Sequence, residues 1–143
     1  SEIIKITEKQ ARDCFLLDRK SIGLWNFQQW ECELKKKDNK ALAFLEDEKI
    51  IGVCVFQITF DLSDLLYIAI HPEFLRRGIG KKLFSEFIKI SKKSNIKEIF
   101  LEVSVKNIPA IKLYESFDFK TSCVRRKYYK DGSDAFLKTK VIC

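Results

Sequence analysis

The chain has 143 residues, of which 46% are hydrophobic and 12 are Phe, and it carries a formal charge of +7 at pH 7. That length and apolar content suit one filled core spanning 1–143 as a single domain, and they exclude a tail or a linker. No apolar run reaches the roughly 20 residues that cross a bilayer, and Ser1–Lys5 lacks the layout of a signal peptide, so a cytoplasmic protein without a membrane partner is expected.

The apolar start Ile3–Ile6 reads as a strand, and Thr7-Glu8-Lys9-Gln10 has the capping-box pattern that opens a helix through Ala11, Phe15 and Leu16 toward Arg19. After Ser21-Ile22-Gly23 a second helix begins at Asn26, with Phe27, Trp30 and Leu34 on one face. Ala41–Glu46 and Ile50–Phe60 form a hairpin across Asp47-Glu48-Lys49, and Leu65–Ile70 is a short apolar strand expected to be buried on both faces. Ile79, Leu83, Phe84, Phe87, Ile88 and Ser91 recur at the helical period. Ile99–Val103 is a further strand, and Asn107 caps a helix through Ala110, Leu113 and Tyr114, with Pro109 tolerated in its first turn. Phe119–Tyr129 and Ser133–Val141 read as strands around the turn Lys130-Asp131-Gly132. The order predicts an α/β protein whose mixed sheet has helices on both faces.

Cys14, Cys32, Cys54, Cys123 and Cys143 are odd in number and widely spaced, with only His71 to assist them, so they are expected to be reduced thiols and no metal site is expected. Cys54 with His71 as a covalent pair is set aside, because His71-Pro72 ends a strand. The charge suits nucleic acid or an anionic small molecule, but Lys35–Lys37, Lys81-Lys82, Lys92-Lys93 and Arg125–Lys127 are dispersed runs typical of solvated faces, so direct nucleic-acid binding is not expected.

FLRRGIGKKL, residues 74–83, holds the sharpest motif. It lacks the Gly-Lys-Ser/Thr of a P-loop and the third glycine of a dinucleotide fingerprint. Two readings of Gly78 and Gly80 remain: a tight turn alone, or bare helix-start amides that hold a phosphate.

The flanking LYIAIHP and LEVSVKNIPAIKLYESFDF, with the order of elements, resemble the GNAT superfamily of acetyl-CoA-dependent N-acetyltransferases over essentially the whole chain. The resemblance implies a mixed, mostly antiparallel sheet of about seven strands flanked by about four helices. It also implies acetyl-CoA as cosubstrate, with its pyrophosphate on Arg76, Arg77, Gly78, Ile79, Gly80 and Lys81. The pantetheine would lie along Ile68, Ala69 and Ile70, in a gap that opens toward the strand Ile99–Val103.

Within the superfamily, LEVSVKNIPAIKLYESFDF and RRKYYKDGSDAF are similar to ribosomal-protein-alanine N-acetyltransferases and other protein N-terminal acetyltransferases. That similarity implies Glu102 as general base, Tyr114 as general acid, Asn107 as a coenzyme contact, and Tyr128 with Tyr129 on the acceptor side. The implied acceptor is a protein N-terminus, such as the alanine of a small-subunit ribosomal protein, and the chain is expected to be a monomer or weak dimer. Leu75, Asp118 and Leu24 depart from residues usual in that group, which are Gln or Arg, Gly, and Pro.

Residue chemistry leaves competing readings beside these. Glu102 interrupts an apolar strand, as a base or as a rim carboxylate paired with lysine. Residue chemistry alone favours core packing for Tyr114, and Trp25 suits equally the core edge or, with Phe27, one wall of an acceptor groove. A small-amine or lysine acetyltransferase is the alternative function, against which stands the lack of an acidic cluster near the acceptor loops; a basic RNA- or ribosome-binding module is the other.

Overall fold

The computed structural model describes residues 1–142; Cys143 and its expected free thiol lie outside them. The elements are β1 (Glu2–Lys5), α1 (Ala11–Lys20), α2 (Phe27–Lys35), β2 (Asn39–Glu46), β3 (Lys49–Thr59), β4 (Leu62–Ile70), α3 (Ile79–Lys93), β5 (Glu98–Ser104), α4 (Ile108–Ser116), β6 (Lys120–Arg125) and β7 (Ala135–Val141), with 3-10 turns at Glu8–Gln10 and Pro72–Phe74. The seven strands form one sheet in the order β1-β2-β3-β4-β5-β7-β6. All neighbours are antiparallel except β4 and β5, so the expected fold class holds.

Local signals account for most boundaries. Thr7 and Gln10 make the reciprocal cap, which closes a 3-10 turn leading into α1. Asn26 and Gln29 repeat the device at α2. On α1 the buried residues are Ala11, Cys14, Leu17 and Asp18, whereas Leu16 is exposed. α3 buries the six residues its periodicity selects, and a bond between Ser91 Oγ and Ser63 Oγ at 2.8 Å satisfies the two hydroxyls placed inside.

Two apolar layers sandwich the sheet. Leu42, Phe44, Cys54 and Phe56 meet α3 and α4 on one side, around Phe84, whose ring lies 4.9–5.5 Å from those of Phe87, Tyr114, Phe117 and Phe119. Ala41, Ala43, Val53, Val55, Tyr67 and Ala69 meet α1 and α2 on the other. Emptying a site such as Phe84 by truncation to Ala costs about 3–5 kcal/mol.

β4 departs from the sequence expectation, because its residues alternate between buried and half-buried. Two causes act. Val55 pairs with Tyr67 but Phe56 with Leu65, so Leu66 is an extra residue that switches the faces: Leu65 packs toward α3 and Tyr67 toward α1 and α2. β4 also pairs with β5 only from Leu62 to Leu65, and β5 from Glu102 onward stays with β7. The strands therefore part beyond Leu65 and leave Ile68 and Ile70 partly open, in the gap foreseen between them.

The C-terminal hairpin is also shorter than expected. β6 stops at Arg125, opposite Ala135, and 126–134 is a loop. Lys127 N donates to Asp134 Oδ1 at 2.9 Å and Gly132 N to the Tyr129 carbonyl at 2.9 Å, bonds that turn the chain out of the sheet. Tyr128 and Tyr129 therefore sit on a loop and not on a strand.

Candidate active site

The parting of β4 from β5 opens two clefts, one on each side of the sheet plane. The first, about 260 Å³, is lined by Ile68, Ala69 and Ile70, by Leu75, Arg76, Gly78, Ile79 and Gly80 before and at the start of α3, and by Asn107, Ala110, Leu113 and Tyr114 around α4. Gly78 holds φ +76° at the helix N-cap and offers no side-chain cap, and the first helical bond runs from Lys82 N to Gly78 O at 3.1 Å. The preceding amides are left for an external acceptor, and the positive end of the helix dipole adds to them. Arg76 adopts φ +65°, a conformation that strains a side chain-bearing residue. Arg77 and Lys81 do not line this cleft: Arg77 lies 3.6 Å from Glu46 and stacks over Phe74 at 4.9 Å. His71 Nδ1 accepts from Glu73 N at 3.1 Å, so the imidazole caps a turn and Cys54 is buried away from it. Among the described residues no group of His, Cys, Asp and Glu is arranged to hold a metal.

The second cleft, about 290 Å³, is lined by Ile22, Leu24, Leu65–Ile68, Glu102–Ser104, Asn107, Tyr114, Tyr129, Asp131 and Ser133. Ile68, Asn107 and Tyr114 line both clefts and form the partition between them. Asn107 is fixed there by its cap, Oδ1 accepting from Ala110 N at 3.2 Å.

Glu102 projects from β5 on the face opposite Leu101 and Val103. Its Oε1 accepts from Tyr128 Oη at 3.3 Å. Its Oε2 is buried 3.2 Å from Arg125 Nε, yet misaligned for a hydrogen bond, so no donor occupies that oxygen. The cation beside it is thus an arginine, not one of the lysines. Tyr114 is buried, and burial pushes its phenol well above the ordinary value, which keeps the hydroxyl protonated. Tyr129 is pushed up to about 12, first by burial and then by the charge of Glu102.

The structure also brings carboxylates together that lie far apart in the chain. Asp131 shares the cleft with Glu102, and Asp64 on β4 shares its face of the sheet. Asp64 is pushed up to about 6, by burial first and by the charge of Glu102 second. Pairing of β4 with β5 sets Asp64 beside Glu102, while Asp131 is exposed and lies 3.7 Å from Lys106, so the carboxylates near the acceptor loops are a pair and not a cluster.

Trp25 is not a wall of this cleft. Its ring packs 4.8 Å from Trp30 and stacks 5.6 Å from Tyr67, inside the layer under α1 and α2. Phe27 packs against Phe15. Ile22 and Leu24 take the place expected of the two aromatics. Tyr128 is half exposed, beside rather than in the cleft, and reaches it only through Glu102.

Residues 4–119 match the sequence profile of the acetyltransferase (GNAT) family. Among curated relatives, the [ribosomal protein bS18]-alanine N-acetyltransferase of Salmonella typhimurium is 34% identical over 88 residues, 62% of this chain and 60% of that protein. An N-alpha-acetyltransferase of Saccharolobus solfataricus is 45% identical over 104 residues, covering 64% and 62% respectively. The chain thus spans about three fifths of the length of the curated relatives it matches. Among solved structures, the ribosomal-protein-S18-alanine N-acetyltransferase of Escherichia coli superposes with a TM-score of 0.92 at 24% identity, over 99% of this chain and 93% of that one. Arabidopsis thaliana NAA60 in complex with acetyl-CoA gives 0.86 at 19% identity, over 99% and 98%.

Proposed function

The chain belongs to the acetyltransferase (GNAT) family, and on that premise we propose that it moves the acetyl group of acetyl-CoA to the free α-amine of a protein N-terminus, with an alanine-led ribosomal protein as the leading acceptor. The observation that carries this reading is the partition: two clefts meet at Ile68, Asn107 and Tyr114, and Glu102 lines one of them. Acetyl-CoA fits the first cleft, whose uncapped helix start suits a pyrophosphate and whose open β4 edge suits the amides of the pantetheine arm.

In this scheme the Glu102 carboxylate accepts the proton of the incoming ammonium, and the neutral amine attacks the thioester carbonyl. A backbone N–H of 68–70 donates to the carbonyl oxygen as negative charge develops on it. The C–N bond forms, the C–S bond breaks as Tyr114 passes its proton to the departing thiolate, and the second amine proton, shed as the amide forms, restores the phenol. A free α-amine, with pKa near 8, is roughly ten per cent neutral at pH 7, while a lysine near 10.4 is neutral in well under one part in a thousand, so a carboxylate base suits an N-terminus. The names of the curated relatives support the same acceptor class. Glu102 and Asp131 line the second cleft and attract any cationic amine, which keeps a lysine or small-amine acceptor as the second reading.

The test is mass spectrometry on peptides with free N-termini beginning Ala, Ser, Met or Gly and on a blocked peptide with an internal Lys, each incubated with protein and acetyl-CoA. One acetyl group on free N-termini, most on Ala, is expected; acetylation of the Lys peptide alone overturns the assignment. Glu102→Gln is expected to keep acetyl-CoA binding and lose at least about tenfold in kcat near neutral pH.

A further inference from the structure

The turn between α1 and α2 stands on one buried carboxylate. Asp18 is wholly buried, and among the described residues only neutral N–H groups donate to its side chain. Leu24 N donates to Oδ1 at 3.1 Å, Trp25 N to Oδ2 at 2.9 Å and Trp30 Nε1 to Oδ2 at 3.0 Å. The Asp18 carbonyl accepts from Ser21 N at 3.1 Å and Gly23 N at 2.7 Å, and Gly23 reverses the chain at φ +68°. A charged acceptor is costly to bury, and one that is fully bonded fixes its donors in place. Aromatic contacts extend the bracket to the sheet: Trp25 stacks on Tyr67 of β4, and Tyr67 Oη lies 3.3 Å from Ser21 Oγ.

What this bracket holds outward is Ile22 and Leu24, 56% and 45% exposed, both facing the cleft that contains Glu102. The bonds that satisfy Trp30 Nε1 and two loop amides also fix the turn, and so set two apolar side chains at a defined place beside the candidate base.

We propose that Asp18 is the positioning residue of the acceptor side, holding Ile22 and Leu24 as a preformed apolar wall against which the leading apolar side chains of an acceptor peptide pack. The proposal rests on the acetyl-transfer reading for the identity of the acceptor. It goes beyond that reading in assigning selectivity to a residue that touches neither substrate.

The chain has two Trp residues, and both belong to the bracket, so intrinsic fluorescence reports on it directly. Wild type, Asp18→Asn and Leu24→Ala are compared on a peptide with an apolar first and second residue and on one with Asp at both. Steady-state kinetics give KM and kcat, and tryptophan fluorescence titration in the presence of coenzyme A gives the peptide Kd. Leu24→Ala, which leaves the bracket bonded, is expected to raise KM and Kd for the apolar peptide about tenfold, with kcat within about threefold of wild type. Asp18→Asn turns one acceptor oxygen into a donor; it is expected to do the same, to narrow the preference between the two peptides, and to leave the KM for acetyl-CoA unchanged. Unchanged peptide KM and Kd in Leu24→Ala overturn the proposal. Loss of peptide and acetyl-CoA affinity together in Asp18→Asn, with Leu24→Ala like wild type, also does so, since that marks general structural damage. If the wild type acetylates no amine, the acetyl-transfer reading fails by itself; the fluorescence titration still decides the wall, supported by weaker peptide binding in Leu24→Ala and overturned by equal or absent binding.

Discussion

Replacing Asp64 by Asn measures the cost of a buried charge that also faces a second charge. Its carboxyl is shifted from an ordinary 3.8 to about 6, by burial first and by Glu102 second. A difference near two pH units, at about 1.4 kcal/mol each, sets a ceiling of about 3 kcal/mol on the stability linked to this proton, and solvent screening of a partly buried carboxyl brings the effect below that ceiling. Because the folded-state value is the higher one, the stabilising contribution of the bound proton is fully present below pH 3.8 and is lost as the pH rises through about 6. Above that the native state bears the whole penalty. Asp64→Asn, which cannot ionise, is therefore expected to be more stable than wild type at pH 7–8, by up to about 3 kcal/mol, or roughly 6–12 °C in Tm for a domain of this size. The gain should shrink steadily through pH 6 and 5 and vanish near pH 4. Urea unfolding of both proteins across that range measures it. A difference that is flat with pH, or one that grows toward acid, refutes the reasoning. Glu102→Gln supplies an internal control: it removes the second cause and lowers the Asp64 midpoint, which carboxyl carbon NMR can follow.

A methyl group on Gly52 would lie 2.8 Å from Ile70 Cδ1, 3.0 Å from Leu83 Cδ1 and 3.3 Å from Ile79 Cγ2. Gly52→Ala should therefore cost about 1–3 kcal/mol and push Ile70 into the first cleft, weakening acetyl-CoA binding measured by calorimetry. Tyr114→Phe removes a buried hydroxyl proposed to protonate sulfur; kcat is expected to fall about tenfold or more while Tm changes little, and an unchanged kcat would return Tyr114 to core packing. Cys32 and Cys123 are exposed and should react with an aromatic disulfide reagent in the native protein. Cys14, pushed up to about 12 by burial above all, and the fully buried Cys54 should react only after unfolding, as peptide mapping would show.

Helix and strand identities were legible because their signals are local. The reciprocal caps at Thr7 and Asn26 and the stripe from Ile79 to Ser91 depend on neighbours within four residues. The limits of the last hairpin were not, since Lys127 leaves the sheet to bond Asp134, and nothing in Arg125–Tyr129 reveals that competition with pairing. Asp64 falls between the two strands the sequence indicates at 50–60 and 65–70; only pairing with β5 sets it beside Glu102. Asp18 carried a readable sign that was passed over. It stands four residues after Cys14 and next to Leu17, on the buried stripe of α1, although the charged Arg19 and Lys20 beside it suggest a solvated end. Trp25 was ambiguous for a different reason: a large ring one residue before a cap can turn inward or outward, and the bond from its own N–H to Asp18 fixes the backbone from which it turns inward.

The extra residue at Leu66 makes the length of the β3–β4 hairpin a matter of parity. On its N-terminal side Ser63 and Leu65 look toward α3 and Asp64 looks away; on its C-terminal side Tyr67 looks toward α1 and α2. Deleting one residue there, with the tip held by the bond from Lys97 N to Asp61 O, would roll the first half of β4 over by one step. Asp64 would then be aimed at the phenylalanines around Phe56 and Phe87, and Leu65 away from them. Homologues are thus expected to vary the tip around Phe60 freely while keeping the spacing from Asp64 to Ile68, because a single-residue slip exchanges the solvent of every side chain in the segment.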